Sequence, residues 1–502
     1  MSDSAMLSAG AVRQAADQRE TLRAAVIAGP AGVGTLDEQV TGRLWPLLAD
    51  AALIERAQAV VGHVDARRRV LTGAVTVMIV LGLCLFRRES TSVVTARVTS
   101  RIPRTRVEGT PTAAAVSKAR GRLPAAVHQR VFTTGARSTP TFGPESYAFG
   151  LLVTAIDGTV FDLADTARIR AGFTTPTGGR FPQARMVALV ACGIRWILAA
   201  RIASSGTSEQ ALADDLIGEL QPGTINLADR GFFSMDRWTR AAATGAHLLW
   251  RVKNGARSLP ARLVEVLPDG SALVQLAESD AMLSRRRTTR ADRDLPRLRP
   301  RLARLVEFTV TTRDRAGRTT HSRYRVLTTL LDHHRHPATA LAALYAERWQ
   351  IELTHGRLKT TLRGPGTRPP GTRPRGQTPE LAHQELWALL TVYNALVRLA
   401  VTTAVDLNID PDAVSFAAVL ALTRAHLASQ DSAPCVNCGH DDPDPATTLL
   451  TAIAAQPRNR PTRTRTGPRT KRQRRTQRTR DVTYEITITQ IDLPKASKTA
   501  KV

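Results

Sequence analysis

The chain is organised around the segment Tyr345-Ala-Glu-Arg-Trp-Gln-Ile-Glu-Leu-Thr-His-Gly-Arg-Leu-Lys359. On a helix with about 100° per residue, the side chains of Tyr345, Arg348, Glu352 and Lys359 lie within an arc of about 60°. With a rise of about 1.5 Å per residue this row is about 21 Å long, which exceeds a small ligand and suits a nucleic-acid backbone. The alternative interpretation is a solvated helix face on which Arg348 pairs with Glu352.

The spacing Tyr-x2-Arg-x3-Glu-x6-Lys resembles the signature helix of the IS4-family DDE transposases, and all four positions match. In that family the Glu is the third metal-binding carboxylate, and the Tyr, Arg and Lys contact transposon-end DNA. The resemblance therefore implies that Glu352 binds metal and that Tyr345, Arg348 and Lys359 contact DNA. It also requires two aspartates upstream of the segment.

The composition indicates a folded protein with a polyanionic partner. The chain has 502 residues, 43% of them hydrophobic, which is enough for about two to four domains with real cores. Its net charge is +27, which favours nucleic acid as the partner, with an anionic membrane surface second. The four cysteines do not indicate a disulfide framework. No cleavable signal opens the chain, and we expect a cytoplasmic, nucleoid-associated protein.

The N-terminal part is predicted to be helical and basic. We expect a mobile lead-in over residues 1–35 and a helical DNA-binding domain over residues 36–142. The apolar run Val70–Phe86, flanked by arginines, is at the short limit for crossing a membrane, so a buried helix is the favoured interpretation.

Two phrases in this region, "LCLFRRES" and "SKARGRL", are similar to the N-terminal region of the IS4-type transposases, which implies binding of the element's ends. We expect the helix after Thr110-Pro111-Thr112 to expose Lys118, Arg120 and Arg122. The alternative is an ordinary basic surface.

The region from residue 143 to 253 predicts an α/β fold. Apolar and β-branched runs, turn signals and helix caps give the order strand, strand, strand, helix, strand, helix, strand. This is the order of an RNase H-like domain with a mixed five-stranded sheet and flanking helices, lacking only its last helix. The predicted strands are Leu151–Ile156, Met186–Cys192, Arg195–Ile202, Thr224–Ala228 and Ala246–Val252.

Two aspartates complete the predicted site. Asp157 follows the first strand and Asp229 follows the fourth, and these strands are neighbours in an RNase H-like sheet. Carboxylates so close together need cations between them, and an oxygen-only site suits Mg²⁺. Asp162 and Asp165 are alternatives for the first ligand, but Asp157 ends the predicted strand and matches the family's "DGT".

The last helix of this domain is predicted to come late in the chain. Residues 254–331 show two hairpin signals separated by a basic loop from Arg285 to Arg301, and the resemblance also implies such a β-rich insertion. Residues 332–430 would then complete the catalytic domain with the signature helix. Residues 431–502 are predicted to be a basic, largely disordered tail with one terminal strand.

Two features leave alternatives open. The Pro/Gly/Arg-rich linker 364–377 is either a tolerated surface insertion or a disturbance of the helix that begins near Thr378. Cys435, Cys438 and His440 have the spacing of half a zinc site, but no second pair of ligands follows, so a loop with free thiols is favoured.

These residues predict phosphoryl transfer on DNA with two Mg²⁺ ions, for which Mn²⁺ can substitute. Asp157 would bridge both ions, while Asp229 and Glu352 would each complete one. The expected partners are double-stranded DNA, as terminal inverted repeats and target, and a second copy of the chain in a homodimer; no membrane is expected. The alternatives are an RNase H-like nuclease without strand transfer and an inactive or repurposed DNA-binding protein.

Overall fold

The computed structural model describes residues 48, 51–65, 70–99, 110–254, 259–313, 318–362, 373–429, 445–459, 483–489 and 491. The predicted lead-in 1–35, most of the linker 364–377 and the Cys435, Cys438 and His440 cluster lie outside them.

The helices are α1 (Ala51–Val61), α2 (Gly73–Leu85), α3 (Thr91–Thr99), α4 (Ala113–Arg122), α5 (Ala125–Arg137), α6 (Ala167–Gly172), α7 (Glu209–Asp214), α8 (Met235–Ala243), α9 (Asp280–Arg290), α10 (Ala338–Tyr345), α11 (Trp349–Gly356), α12 (Pro379–Asp406), α13 (Phe416–Ser429) and α14 (Pro445–Ala454). The strands are β1 (Tyr147–Ala148), β2 (Leu151–Asp162), β3 (Gln183–Ala191), β4 (Trp196–Ser204), β5 (Thr224–Ala228), β6 (His247–Arg251), β7 (Ala261–Val266), β8 (Ala272–Leu276), β9 (Arg301–Arg313), β10 (Thr319–Thr328) and β11 (Thr483–Ile488).

One large mixed sheet organises the chain, in the order β4-β3-β2-β5-β6-β10-β9-β8-β7. The first five strands of this path have the RNase H-like arrangement that the sequence predicts, with β2, β5 and β6 parallel to one another. The sequence did not predict how the insertion joins this sheet: β10 pairs with β6, so the inserted strands continue the same sheet. Their pairing covers backbone groups of β6 that would otherwise form an open edge.

Strand β2 is longer than the sequence predicts, and Asp157 lies within it rather than at its end. Its antiparallel pairing with β3 continues to Asp162 opposite Gln183. Its parallel pairing with β5 stops earlier, at Ile156 opposite Ala228. Asp157 is therefore the first residue beyond the β5 contact, which explains why the apolar run in the sequence ends there.

Two further helices have clear start signals. Ser208 caps the short helix α7, because its hydroxyl accepts the Ala211 N–H, and α7 ends at Asp214. The first part of the predicted basic loop is helical as α9, since Ser279 accepts the Met282 N–H at its start.

Apolar helices cover the sheet, and the central one is α12. The predicted buried helix within Val70–Phe86 is confirmed, since every residue of α2 is buried and Thr72 caps it. Helix α2 packs against α12. Helix α12 is long and apolar enough to cross a membrane by length and composition, but 83% of its most apolar window is buried inside the protein. It is therefore a core helix in this structure.

The N-terminal helices are fixed to α12 by a buried ionic network. The prediction that Arg120 is exposed is wrong: its guanidinium is buried and pairs with Glu385 at 2.9 Å. Arg87 contacts the other oxygen of the same carboxylate at 3.5 Å. Because the partner is 265 residues away, local sequence gives no sign of this burial. Lys118 and Arg122 remain exposed, as predicted.

The described end of the linker has a structural role. The Arg375 guanidinium donates to the carbonyls of Phe86, Arg87 and Glu89, just beyond the C-terminal end of α2. A cation there satisfies carbonyls that a helix end leaves without partners. Thr378 caps α12, which is in place in the core, so the linker does not displace this helix.

The insertion supports the helix that leads to the predicted site. Asp269, in the β7–β8 turn, accepts the backbone N–H of Ala338 at 2.8 Å, at the first residue of α10. The same carboxylate pairs with Arg304 at 2.5 Å, and Arg304 is fully buried. Arg304 also donates to the carbonyls of Asp332 and His336. The turn and the start of α10 are thus held as one unit.

The C-terminal region contains ordered elements. Strand β11 pairs with β9 from Thr483 opposite Arg313 to Ile488 opposite Phe308, so the predicted terminal strand is confirmed. Helix α14 packs against α12 and α13. Part of the region predicted to be a disordered tail is therefore structured.

We expect His128→Leu to reduce the acid sensitivity of the protein. His128 is 1% exposed, and burial lowers its pKa to about 3, with the charge of Arg120 adding to this effect. Below about pH 6.5, the pKa of a histidine in the unfolded chain, the unfolded chain binds a proton at His128 and the folded protein does not. The free energy of unfolding therefore falls by about 1.4 kcal/mol per pH unit. Between pH 6.5 and 5 the wild type should therefore lose about 2 kcal/mol more than the variant in urea unfolding. The exposed control His321→Leu should follow the wild type, and equal losses in all three proteins would contradict the assignment.

We expect Asp269→Ala to destabilise the protein by about 3–5 kcal/mol, because it leaves the buried Arg304 charge without its carboxylate. Hydrogen exchange should accelerate in α10, whose first N–H loses its acceptor. The control Asp280→Ala removes a carboxylate that is 95% exposed and should cost about 1 kcal/mol or less. Similar losses in urea unfolding for both variants would show that the buried pair is not a special support.

Candidate active site

Asp157 and Asp229 lie side by side at the carboxyl edge of the parallel strands. Asp157 directly follows Ile156, and Asp229 directly follows Ala228. Ile156 and Ala228 are the last pair of residues that joins β2 to β5. Neighbouring strands are about 4.8 Å apart, so the two carboxylates share one small region. The Asp157 side chain is 20% exposed and that of Asp229 37% exposed. Both are therefore accessible from the edge of the sheet.

Glu352 comes to the same face of the sheet from α11. Side chains alternate along a strand, so Asp157 points to the face of Val153 and Ala155, which belong to the same apolar layer as Ile351. Helix α11 packs on β2 at this face. The structure therefore places Asp157, Asp229 and Glu352 on the same face of the sheet.

Arg348 connects two of these carboxylates. Its Nη2 lies 3.1 Å from Glu352 Oε1, and its Nη1 lies 3.6 Å from Asp157 Oδ2. The arginine side chain is 17% exposed, so this contact is largely shielded from solvent. On the other side, Asp229 accepts the Arg230 N–H at 2.8 Å and lies 3.6 Å from the Arg251 guanidinium. The acidic site is therefore framed by two arginines.

The signature segment is helical but is not one uniform α-helix. After α10 come a 3₁₀ turn at Ala346–Arg348, then α11, then a π-helical stretch at Arg357–Leu362. The assumption of a constant 100° per residue is therefore wrong, and the four signature side chains do not form a single row. Lys359 lies in the π-helical stretch, with its Nζ 5.7 Å from the centre of the Phe161 ring.

Tyr345 departs from its predicted role as a DNA contact. It is 6% exposed, and its hydroxyl donates to the carbonyl of Ala228 at 3.4 Å. Its ring lies 6.2 Å from that of Tyr324 on β10. This side chain faces the end of β5, and Arg348 lies beside Asp157 and Glu352. Tyr345 supports the strand end that carries Asp229.

The electrostatics of the site follow from crowding of negative charge in a half-buried place. Burial raises the pKa of Asp157 to about 7, and the nearby Arg348 cation opposes the rise. The carboxylates of Glu209 and Glu352 raise it further. The Arg348 cation thus favours the ionised form of Asp157 against its burial.

Glu209 is a fourth carboxylate that sequence reasoning missed. It stands in the first turn of α7, on the opposite face of the sheet, and a Cβ on Gly158 would come within 1.9 Å of its Oε1. Burial raises the pKa of Glu209, and the charge of Asp229 adds to this. In the sequence, Glu209 stands in the first turn of a helix, where an acidic residue is common. Its position therefore gave no sign that it lies near the site.

The donor set fits a divalent metal of the hard, oxygen-binding kind, because Asp157, Asp229 and Glu352 all offer carboxylate oxygens. Within the described residues, however, no three acidic, histidine or cysteine side chains are already close enough together to hold an ion. The Arg348 guanidinium lies between Asp157 and Glu352, so a metal has to compete with it for these oxygens.

The chain is similar to known transposases. A family model described as a transposase DDE domain matches residues 148–395, and one described as the insertion element 4 transposase N-terminal region matches residues 43–133. The chain is 31% identical over 356 residues to transposase InsG for insertion sequence element IS4 of Escherichia coli (strain K12), covering 70% of this chain and 74% of that protein.

Among solved structures, a piggyBac transposase synaptic complex with hairpin DNA is similar over 82% of this chain and 83% of that chain, with 9% identity and a TM-score of 0.36.

We expect Arg348→Ala to bind Mn²⁺ about 3–10-fold more tightly than the wild type in calorimetric titration without DNA, the equivalent of two partly exposed ion pairs. The reason is that the metal no longer competes with the guanidinium for Asp157 and Glu352. The matched control is Arg201→Ala, which removes a cation outside the site. Arg201 pairs with Glu219 at 3.0 Å, and its loss should not change the affinity for Mn²⁺. Weaker binding by Arg348→Ala would mean that the cation instead keeps the carboxylates ionised for the metal.

Proposed function

The chain belongs to the IS4-type DDE transposases of insertion sequences, enzymes that cleave DNA and transfer its strands, and from this premise we propose that Asp157, Asp229 and Glu352 are its catalytic carboxylates. The observation that carries the proposal is their convergence on one sheet edge, with Arg348 joining Asp157 to Glu352.

The proposed cofactor is a pair of Mg²⁺ ions, for which Mn²⁺ can substitute. Asp157 would bind both ions, and Asp229 and Glu352 would each bind one. When bound, two such ions activate an attacking oxygen and stabilise the leaving 3′ oxygen of a phosphodiester. The oxygen-only donor set supports this assignment.

Arg348 and Lys359 are the proposed contacts to the DNA backbone near the cleaved phosphate. Arg348 is close enough to the carboxylates to hold a phosphate that enters the site, and a guanidinium suits two phosphate oxygens at once. Because Tyr345 is buried, we propose that it acts indirectly, by fixing Ala228 and hence the position of Asp229.

The proposed substrates are the terminal inverted repeats of the element and a target duplex. Water would attack first and free a 3′-OH, which would then attack the target. The helical region 36–142, with Lys118 and Arg122 exposed, is the proposed end-binding unit. Residues 143–253 and 332–430 would form the catalytic domain, divided by the insertion 254–331. Because two ends must be joined, we propose a homodimer that acts on DNA at the nucleoid.

The decisive experiment is cleavage of a DNA fragment that carries the inverted repeats flanking the gene. The wild type should cut at the repeat boundary with Mg²⁺ or Mn²⁺ and not with EDTA, while Glu352→Ala and Glu352→Gln should lose at least about 10³-fold in rate. Glu219→Ala, which removes an exposed carboxylate outside the site, is the control and should cut normally.

The same assay separates the alternatives. Cutting without joining to a target would indicate a nuclease without strand transfer. Binding of the ends without any metal-dependent cutting would overturn the enzyme assignment and leave a DNA-binding protein. Normal cutting by Glu352→Ala would exclude Glu352 as the third ligand.

A further inference from the structure

The segment Asp280–Arg301, which we call the basic arm, leaves the sheet after β8 and returns to it as β9. The outer half of this arm is the part around the C-terminal end of α9, from Arg285 to Arg293. We propose that this outer half binds the sugar–phosphate backbone of the duplex held at the active site. The inference rests on the proposed function, because it needs DNA at the carboxyl edge. It adds a DNA-binding surface outside the signature segment.

The composition of the arm is not that of a core element. It holds eight arginines and three aspartates, a net charge of +5. Helix α9, its first half, has no buried residue. Apolar packing of the helix is limited to the partly buried Met282, which lies against the core. The helix is also held by polar contacts, among them Arg286 to the buried Glu278 at 2.7 Å and Arg287 to the carbonyl of Leu295 at 2.9 Å.

Strand register shows that the base of the arm lies at the amino edge of the sheet, away from the carboxylates. Leu276, the last residue of β8, pairs with Arg301, the first residue of β9. Further along, Arg304 pairs with Thr328, which pairs with Leu249 in the middle of β6. Since β9 runs from there toward the carboxyl edge, Arg301 is at the opposite edge from Asp157.

The far end of α9 reaches the active-site side. Arg290, its last residue, pairs with Asp236 at 2.6 Å. Asp236 lies in the first turn of α8, which begins just after the Asp229 loop. Asp236 is the seventh residue after Asp229, so their Cα atoms are at most about 25 Å apart. That span is about seven base pairs of B-DNA.

Two arginines in this outer half are available to phosphate. Arg285, at the middle of α9, and Arg293, just beyond its end, are exposed. Within the stretch 259–313 and the other described parts of the chain, neither has an ion-pair partner. A duplex carries one negative charge per about 1.7 Å of its axis, so DNA that extends from Asp157 and Asp229 presents phosphates along this distance. Arginines that contact phosphates position a duplex without reading its base sequence. We therefore expect Arg285 and Arg293 to bind the DNA backbone.

The test compares Arg285→Ala/Arg293→Ala with Arg299→Ala/Arg301→Ala. Both double variants remove two exposed arginines from the same arm, but the second pair lies in the part that returns to the amino edge. Binding of a fluorescent inverted-repeat duplex is measured by anisotropy across a range of salt concentrations. We expect the outer variant to bind about 10-fold more weakly at 0.1 M salt, and its salt slope to fall by about 1.8, the value for two lost phosphate contacts. The inner variant should remain close to the wild type.

A second set of duplexes identifies which part of the DNA lies on the basic arm. Duplexes that stop at the repeat boundary are compared with duplexes that carry flanking DNA. If the outer variant loses affinity only for the longer duplex, the arm holds the flank; if it loses affinity for both, the arm holds the element's end. Either result supports the proposal.

Equal effects of the two double variants, or no effect of the outer one, would overturn the inference, because long-range charge or a solvated surface would then suffice. Wild-type cleavage is measured on the same duplexes. If the wild type cuts normally and the outer variant binds DNA as tightly as the wild type, only the proposal for the basic arm fails. If the wild type never cuts, the proposed function itself fails.

Discussion

The structure depends on keeping several negative charges together in a half-buried place. Asp157, Asp229 and Glu352 lie near one another on one face of the sheet, with Glu209 on the other face beside Gly158, and such a group is unstable without cations near it. Arg348 supplies one of these cations from the 3₁₀ turn that leads directly into α11, the helix of Glu352. Because the two charges stand on adjoining turns, any change that shifts α11 alters the acid and its counter-ion together. The charge balance of the proposed site is thus linked to the packing of a short segment.

That packing is set by distant parts of the chain. The start of α10 is anchored by the turn of an insertion strand, and the far side of the core is closed by α12. The insertion is therefore not an appendage. It extends the catalytic sheet, and through Asp269 and Arg304 it fixes the entry of the helix on which the third carboxylate depends.

The sequence predicted what local pattern determines. Strand β5 was placed correctly, and the ends of the apolar runs pointed to Asp157 and Asp229. Long-range pairing was not predictable: the joining of β10 to β6 and the burial of Arg120 both depend on partners far away in the chain. The burial of Tyr345 was also not predictable, because its hydroxyl donates to the carbonyl of Ala228, 117 residues away in the chain.

The burial of α2 has a consequence for how the chain is synthesised. This wholly apolar helix packs against α12, and Cys84 Sγ meets the carbonyl of Glu385, a contact across 301 residues. A ribosome adding about 5–20 residues per second needs about 15–60 seconds to cover that distance. During this interval α2 can pack against α1, α3 and α4, but the face that meets α12 stays uncovered. An apolar face that is exposed for this long is a site at which a nascent chain can aggregate.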